Sequence, residues 1–196
     1  PVIQQLFKQT DPQKLKGTIV GVPVVNIPSF FRKKRRFSDN VDLNHIMPGK
    51  KHGNSSQTYA YHFFEKVIRK IDYLIDLHTA SFGRINSYYV RADMDNKTTA
   101  QMALMQNPEI ILHNPPTDGT LRGAAESIGV PSITLELGNP NVFQMPIIEQ
   151  SLKGAYNVLI SLGMWEGVIS PNTNETTSCR SSKWIYTRSG GILRVL

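Results

Sequence analysis

Asp72-Tyr73-Leu74-Ile75-Asp76-Leu77-His78-Thr79-Ala80 is an apolar run that closes on a histidine, and Val130-Pro131-Ser132-Ile133-Thr134-Leu135-Glu136-Leu137-Gly138 repeats the pattern with a glutamate. Short, nearly continuous apolar runs bounded by turn residues are the mark of strands covered on both faces. Each run places an ionisable group where a parallel strand would leave the core, and in open α/β sheets ligands collect beyond the carboxyl ends of strands. The pair therefore decides both the fold class and the place to look for a site.

Outward from these runs, helical and strand periods alternate. Residues 18–25, Thr-Ile-Val-Gly-Val-Pro-Val-Val, read as a β-branched strand, with Pro23 pointing to an edge or a bulge. Residues 26–54 read as a long charged loop containing Pro28, Pro48, Gly49 and Gly53, a length that is usually functional or disordered. Ser55 or Ser56 is placed to cap a helix carrying Ala60, Phe63, Phe64, Val67 and Ile68 at helical spacing. Strands are expected over 85–90 and 109–113, and helices over 98–105 and 121–128, the second stopped by Gly129. A last helix starts at Pro146 and ends at Gly163. This order predicts an α/β fold with a mixed, largely parallel sheet flanked by helices. Residues 1–168 are expected to form the main domain, 169–182 a polar linker, and 183–196 the start of a separate β domain. Val2-Ile3-Gln4-Gln5-Leu6-Phe7-Lys8 reads as the end of a helix, and the expectation is of a fragment of a longer protein.

With 196 residues, 40% of them hydrophobic and 19% charged, the chain can bury a sizeable core. Cys179 is the sole cysteine, which excludes an internal disulfide and a cysteine-based zinc cage and suits a reducing, cytoplasmic compartment. No apolar run reaches the length of a membrane span. Much of the net charge of +7 sits in Arg32-Lys33-Lys34-Arg35-Arg36, and Asp39 and Asp42 follow at once, which weakens a polyanion surface. Neither nucleic acid nor membrane is the expected partner.

The chemistry-bearing residues have two readings each. His78 taken alone reads first as a core histidine satisfied by backbone groups, with a metal ligand as the second reading. Asp76, two residues earlier, shares its strand face and is the kind of carboxylate that partners a metal-bound imidazole. Glu136 lies between two leucines, and a carboxylate there needs a partner: an arginine in a structural ion pair, or the setting of a general base near a metal.

The segments from Gly17 to Asn26, Asp42-Leu43-Asn44 with Pro48-Gly49, Asp76-Leu77-His78-Thr79, Leu121-Arg122-Gly123-Ala124-Ala125 and Pro131 to Gly138 resemble the succinylglutamate desuccinylase and aspartoacylase family, relatives of the zinc carboxypeptidases. The resemblance runs in order from Pro1 to about Trp165, and residues 183–196 are similar to the start of the family's carboxy-terminal β domain. It implies a zinc carboxypeptidase-like fold and zinc-dependent hydrolysis of the amide bond of a small N-acyl amino acid. His78 would match one of three zinc ligands, with the other two expected upstream of Pro1, and Glu136 the glutamate that activates the zinc-bound water. Asn44 would help to hold a substrate carboxylate, and Arg36, with Arg35 and Arg32 as alternatives, would stabilise the developing oxyanion. Arg122 would match a further substrate-binding arginine. His45 departs from the family, which has arginine after Asp-Leu-Asn; histidine offers fewer donors and titrates near neutrality, so carboxylate recognition is expected to be weaker and pH-dependent. The expected partners are an N-acyl substrate and, as an open question, further copies of the chain. Two alternatives stand beside the deacylase: a metallocarboxypeptidase, and a catalytically inactive binding module of the same fold.

Overall fold

The structure, a computed structural model, describes residues 1–81, 84–116, 119–172, 175–183, 185–186 and 190. Its centre is a five-stranded sheet in the order β1-β4-β2-β3-β5. These are β1 (Leu74–His78), β2 (Tyr88–Ala92), β3 (Ile110–His113), β4 (Ser132–Leu137) and β5 (Thr177–Cys179). Three of the four pairings, β1 with β4, β2 with β3 and β3 with β5, are parallel, and β2 with β4 is antiparallel. The sheet is thus mixed and mostly parallel, as the alternation of periods predicts. One antiparallel pairing has a large consequence. It sends the carboxyl ends of β1 and β4 to one edge of the sheet and those of β2, β3 and β5 to the other.

Among the described residues six α-helices accompany the sheet: α1 (Val2–Gln9), α2 (Ile27–Phe31), α3 (Ser55–Lys66), α4 (Lys97–Met105), α5 (Leu121–Glu126) and α6 (Met145–Ser161). Their starts are written locally. Asn54 accepts from the Gln57 N–H while the Gln57 side chain reaches back to the Asn54 N–H, a complete capping box for α3. Asn96 caps α4 and Thr120 caps α5, and Pro146 sits in the first turn of α6.

Strand alternation splits the core in two. Val90, Ala92, Ile111, Ile133 and Leu135 point to one face and pack with Met102, Ala103 and Val158 of α4 and α6. On the other face Leu74 joins a cluster of Phe37, Leu43, Met47, Ala60, Phe64, Ile68, Leu121, Ala124, Ala125 and Val130, contributed by α3, α5 and the loop before α3. That second cluster covers only the part of the face nearest the start of β1 and β4. The polar ends of these strands lie beyond it.

Three expectations need correction. Residues 18–25 run without a ladder partner among the described residues and form no strand. β-branched residues favour an extended chain, but a strand also needs a neighbour to take its hydrogen bonds, and Pro23 has no N–H to give. Instead Val25 C=O accepts the Tyr59 hydroxyl at 2.6 Å, and α1 packs over Gly21, where an added Cβ would meet Phe7 and Ile3. The loop over 26–54 is partly helical, holding α2 and a 3₁₀ turn over Leu43–His45. The segment read as a linker contributes β5, drawn onto the sheet by the Thr177 N–H bond to Glu109 C=O at 2.9 Å and the Thr176 hydroxyl bond to Pro108 C=O at 2.8 Å. The start of a β domain expected over 183–196 falls largely on residues outside those described. Among the described residues no helix is long and apolar enough to cross a membrane.

Candidate active site

Parallel pairing sets His78 directly beside Glu136 in the β1–β4 register, so both side chains leave the same face at the same edge. Antiparallel pairing then sets Tyr89 of β2 opposite Glu136 from the other side. Asp76, His78, Glu136, Tyr89 and Arg91 form one polar row on a sheet whose other face is aliphatic. His78 Nε2 lies 2.9 Å from Asp76 Oδ2. An ionised carboxylate only accepts, so Nε2 carries the proton and Nδ1 is the ring nitrogen left with a lone pair in the neutral form. Burial acts to lower the pKa of His78, but the charge and hydrogen bond of Asp76 and the charge of Glu136 outweigh it; Arg35 opposes them, and the net shift is upward. Glu136 is held by Asn86, whose Nδ2 donates to Oε2 at 3.3 Å, and by Arg91, whose Nε lies 3.6 Å from Oε1.

One charge of the loop over 26–54, that of Arg35, acts on His78. The Arg35 guanidinium binds Asp42 Oδ2 at 2.7 Å. Arg36 instead lies on an exposed turn, donating from Nη1 to Asn40 C=O at 3.1 Å while its own carbonyl accepts the Ser29 hydroxyl. Of the basic run it is Arg35, the alternative, whose charge acts on the histidine. Asn44 Oδ1 accepts the Leu121 N–H at 3.0 Å, tying the loop to the start of α5, and His45 beside it is exposed. The His45 charge is one of those acting on Asp42, so this part of the loop shares the electrostatics of the site.

Arg122, expected as a substrate-binding arginine, is buried in α5. It is 1% exposed, with Nη1 donating to Glu126 Oε2 at 2.6 Å one turn along α5. The cause is the wedge formed by Leu121, Arg122, Gly123, Ala124 and Ala125, all buried between α3 and the sheet, where an arginine needs a carboxylate beside it. Arg91 and Asn86 are the groups that motif reading missed. The strand pattern around Arg91 was visible, but its meeting with Glu136 depends on strand order.

A catalytic zinc takes three protein donors and keeps a position open. The Asp76–His78 pair fits one of those positions, because a carboxylate fixing the far ring nitrogen is the usual support of a metal-bound imidazole. Among the described residues the only three acidic or imidazole groups close enough to share an ion lie elsewhere, at Asp93, Asp95 and His113 on the opposite edge of the sheet. That cluster does not fit a metal. The Met94 N–H donates to His113 Nδ1 at 3.1 Å, leaving the proton on Nε2, and Arg180 binds Asp95 Oδ1 at 2.6 Å, so neither ring nitrogen has a free lone pair and one carboxylate already holds a cation.

Known proteins share this fold. The model of the succinylglutamate desuccinylase/aspartoacylase catalytic domain matches residues 1–162. A search of curated sequences finds no match. Among solved structures, a succinylglutamate desuccinylase/aspartoacylase from Rhodobacter sphaeroides superposes with a TM-score of 0.80 at 21% identity, covering 92% of this chain and 58% of that one. The product-bound ectoine utilization protein EutE (DoeB) from Ruegeria pomeroyi gives 0.80 at 23% identity, covering 93% and 57%. A succinylglutamate desuccinylase from Silicibacter sp. gives 0.79 at 23% identity, covering 89% and 56%. At these identities the likeness establishes the fold, and the chain spans less than three-fifths of the length of each of these structures.

Proposed function

Because the chain belongs to the succinylglutamate desuccinylase/aspartoacylase catalytic-domain family, we propose that the protein containing it hydrolyses the amide bond of a small N-acyl amino acid, with Glu136 as general base. The observation that carries this reading is the register that places Glu136 directly beside His78 at the ends of two parallel strands. A cofactor of the kind the family implies is zinc, for which His78 Nδ1 would be one ligand; zinc, when bound, acidifies water and polarises the amide carbonyl. Glu136 takes a proton from the attacking water onto a carboxylate oxygen and returns it to the leaving amine. Arg35, rather than Arg36, supplies the positive charge near the reacting carbonyl, released from Asp42 to do so. Asn44 orders the loop through Leu121 and leaves His45 as the exposed group nearest to a substrate carboxylate.

The test is Glu136→Gln in the whole protein, assayed on N-succinylglutamate and N-acetylaspartate, the kinds of compound named by the family. Turnover is expected to vanish while zinc content, measured by elemental analysis, stays at the wild-type level. Near-normal hydrolysis by the variant ends the assignment. A protein without zinc and without amidase activity favours the inactive binding module.

A further inference from the structure

Glu136 is gripped from two sides by residues outside every motif of the family resemblance. On one side Arg91 Nε stands 3.6 Å from Oε1. On the other Asn86 Nδ2 donates to Oε2 at 3.3 Å. Both grips are themselves fixed. Arg91 Nη2 donates to the Tyr89 hydroxyl at 2.8 Å, and its guanidinium lies over the Tyr89 ring, 5.3 Å from the centroid. The Asn86 N–H donates to Asn139 Oδ1 at 2.9 Å, and the Asn139 N–H to Gln144 Oε1 at 2.7 Å, which anchors the loop before β2 to the start of α6. Strand register accounts for the arrangement. Tyr89 is directly opposite Glu136, and Arg91, opposite Thr134, is its diagonal neighbour on the same face.

We propose that Arg91 is a positioning residue: with Asn86 on the opposite oxygen, it fixes the plane of the Glu136 carboxylate so that the base meets its proton in one orientation. This rests on the reading of Glu136 as general base. Stability does not account for the pair. The side chains are 28% and 15% exposed, a half-wet ion pair of this kind adds little to the fold, and the β2–β4 ladder already joins the strands. Geometry does account for it. A glutamate at a strand end has three free torsions, and a displacement of about 1 Å in a reacting group costs on the order of 100-fold in rate. At 3.6 Å the contact works through charge rather than through a short hydrogen bond, so another cation at position 91 supplies much of the same restraint.

The experiment compares Arg91→Met and Arg91→Lys with wild type in the whole protein on N-succinylglutamate and N-acetylaspartate. Arg91→Met is expected to lower kcat by about 10- to 100-fold with KM nearly unchanged, and Arg91→Lys to recover most of that loss. An unchanged kcat overturns the proposal, and so does a raised KM with kcat kept, which would make Arg91 a substrate contact. Glu136→Gln run alongside separates the two ideas: if it keeps turnover the general-base reading fails, and if it abolishes turnover while Arg91→Met keeps the wild-type kcat the positioning role fails. A second readout needs no substrate. In protein labelled with ¹³C at glutamate carboxylates, the Glu136 resonance, assigned by its loss in Glu136→Gln, is expected to move in Arg91→Met and return toward wild type in Arg91→Lys. A resonance unmoved by Arg91→Met overturns the proposal whatever the enzyme hydrolyses.

Discussion

Asp42 carries two contacts in the loop beside His78: Oδ2 takes the Arg35 guanidinium, and Oδ1 takes the Asn44 N–H at 3.1 Å. Burial acts to raise its pKa, but the Arg35 bond, the Asn44 N–H and the charges of Arg35 and His45 outweigh it, and the carboxyl titrates below its ordinary value. A depressed folded pKa stabilises the fold above the unfolded value of about 3.9, and that contribution disappears as pH falls through the lower folded value. Between about pH 5 and pH 2, wild type should therefore lose more thermal stability than Asp42→Asn. Parallel melting curves for the two across that window would contradict the assignment. At this scale the sequence showed the ionisable groups well and their partners poorly. Glu136 and His78 stood out because a polar group at the end of an apolar strand asks for a reason. In the basic run, five like residues carry no mark of which one meets Asp42, and the structure gives that contact to Arg35. Arg91 belongs to an ordinary alternating strand, so nothing near it in the chain announces Glu136.

Elements were the most legible level, and their ends most of all. The Asn54–Gln57 capping box lies within four residues, so the start of α3 is a local fact. Asn54→Ala should lower stability by about 1 kcal/mol, read as a lower denaturant midpoint at unchanged m-value. An unshifted midpoint would show that tertiary packing alone holds that end of the helix. The run over 18–25 shows the limit of local reading. Its β-branched residues state a conformation, whereas a strand is a relation between two segments. The segment over 170–182 shows the converse. Its polar residues carry no strand pattern, yet three of them pair with β3 because neighbouring contacts deliver them there.

For the molecule as a whole, those deliveries depend on buried polar groups that join distant parts of the chain. Asn157 of α6 is 1% exposed; its Nδ2 donates to Met105 C=O at 3.0 Å and Ser170 C=O at 3.1 Å, and its Oδ1 accepts the Ser170 N–H at 2.8 Å. One side chain thus fastens the end of α4 and the approach to β5 to the same helix. Asn157→Ala leaves these groups without their partner inside the fold and should cost about 2 kcal/mol or more, with faster proteolysis over 170–182. Unchanged protease resistance there would mean that β5 is held by its ladder alone. The sequence by itself determined the alternation of helices and strands, the helix caps, the two strand-end ionisable groups and the family resemblance, because each rests on residues close together in the chain or on the order of motifs along it. Only the tertiary structure decided that β2 runs against β4, that Arg122 is buried and paired with Glu126, that Arg35 binds Asp42, and that Arg91 and Asn86 hold Glu136. Those outcomes come from contacts between segments far apart in sequence, and which segments meet is set by the joint packing of all the layers.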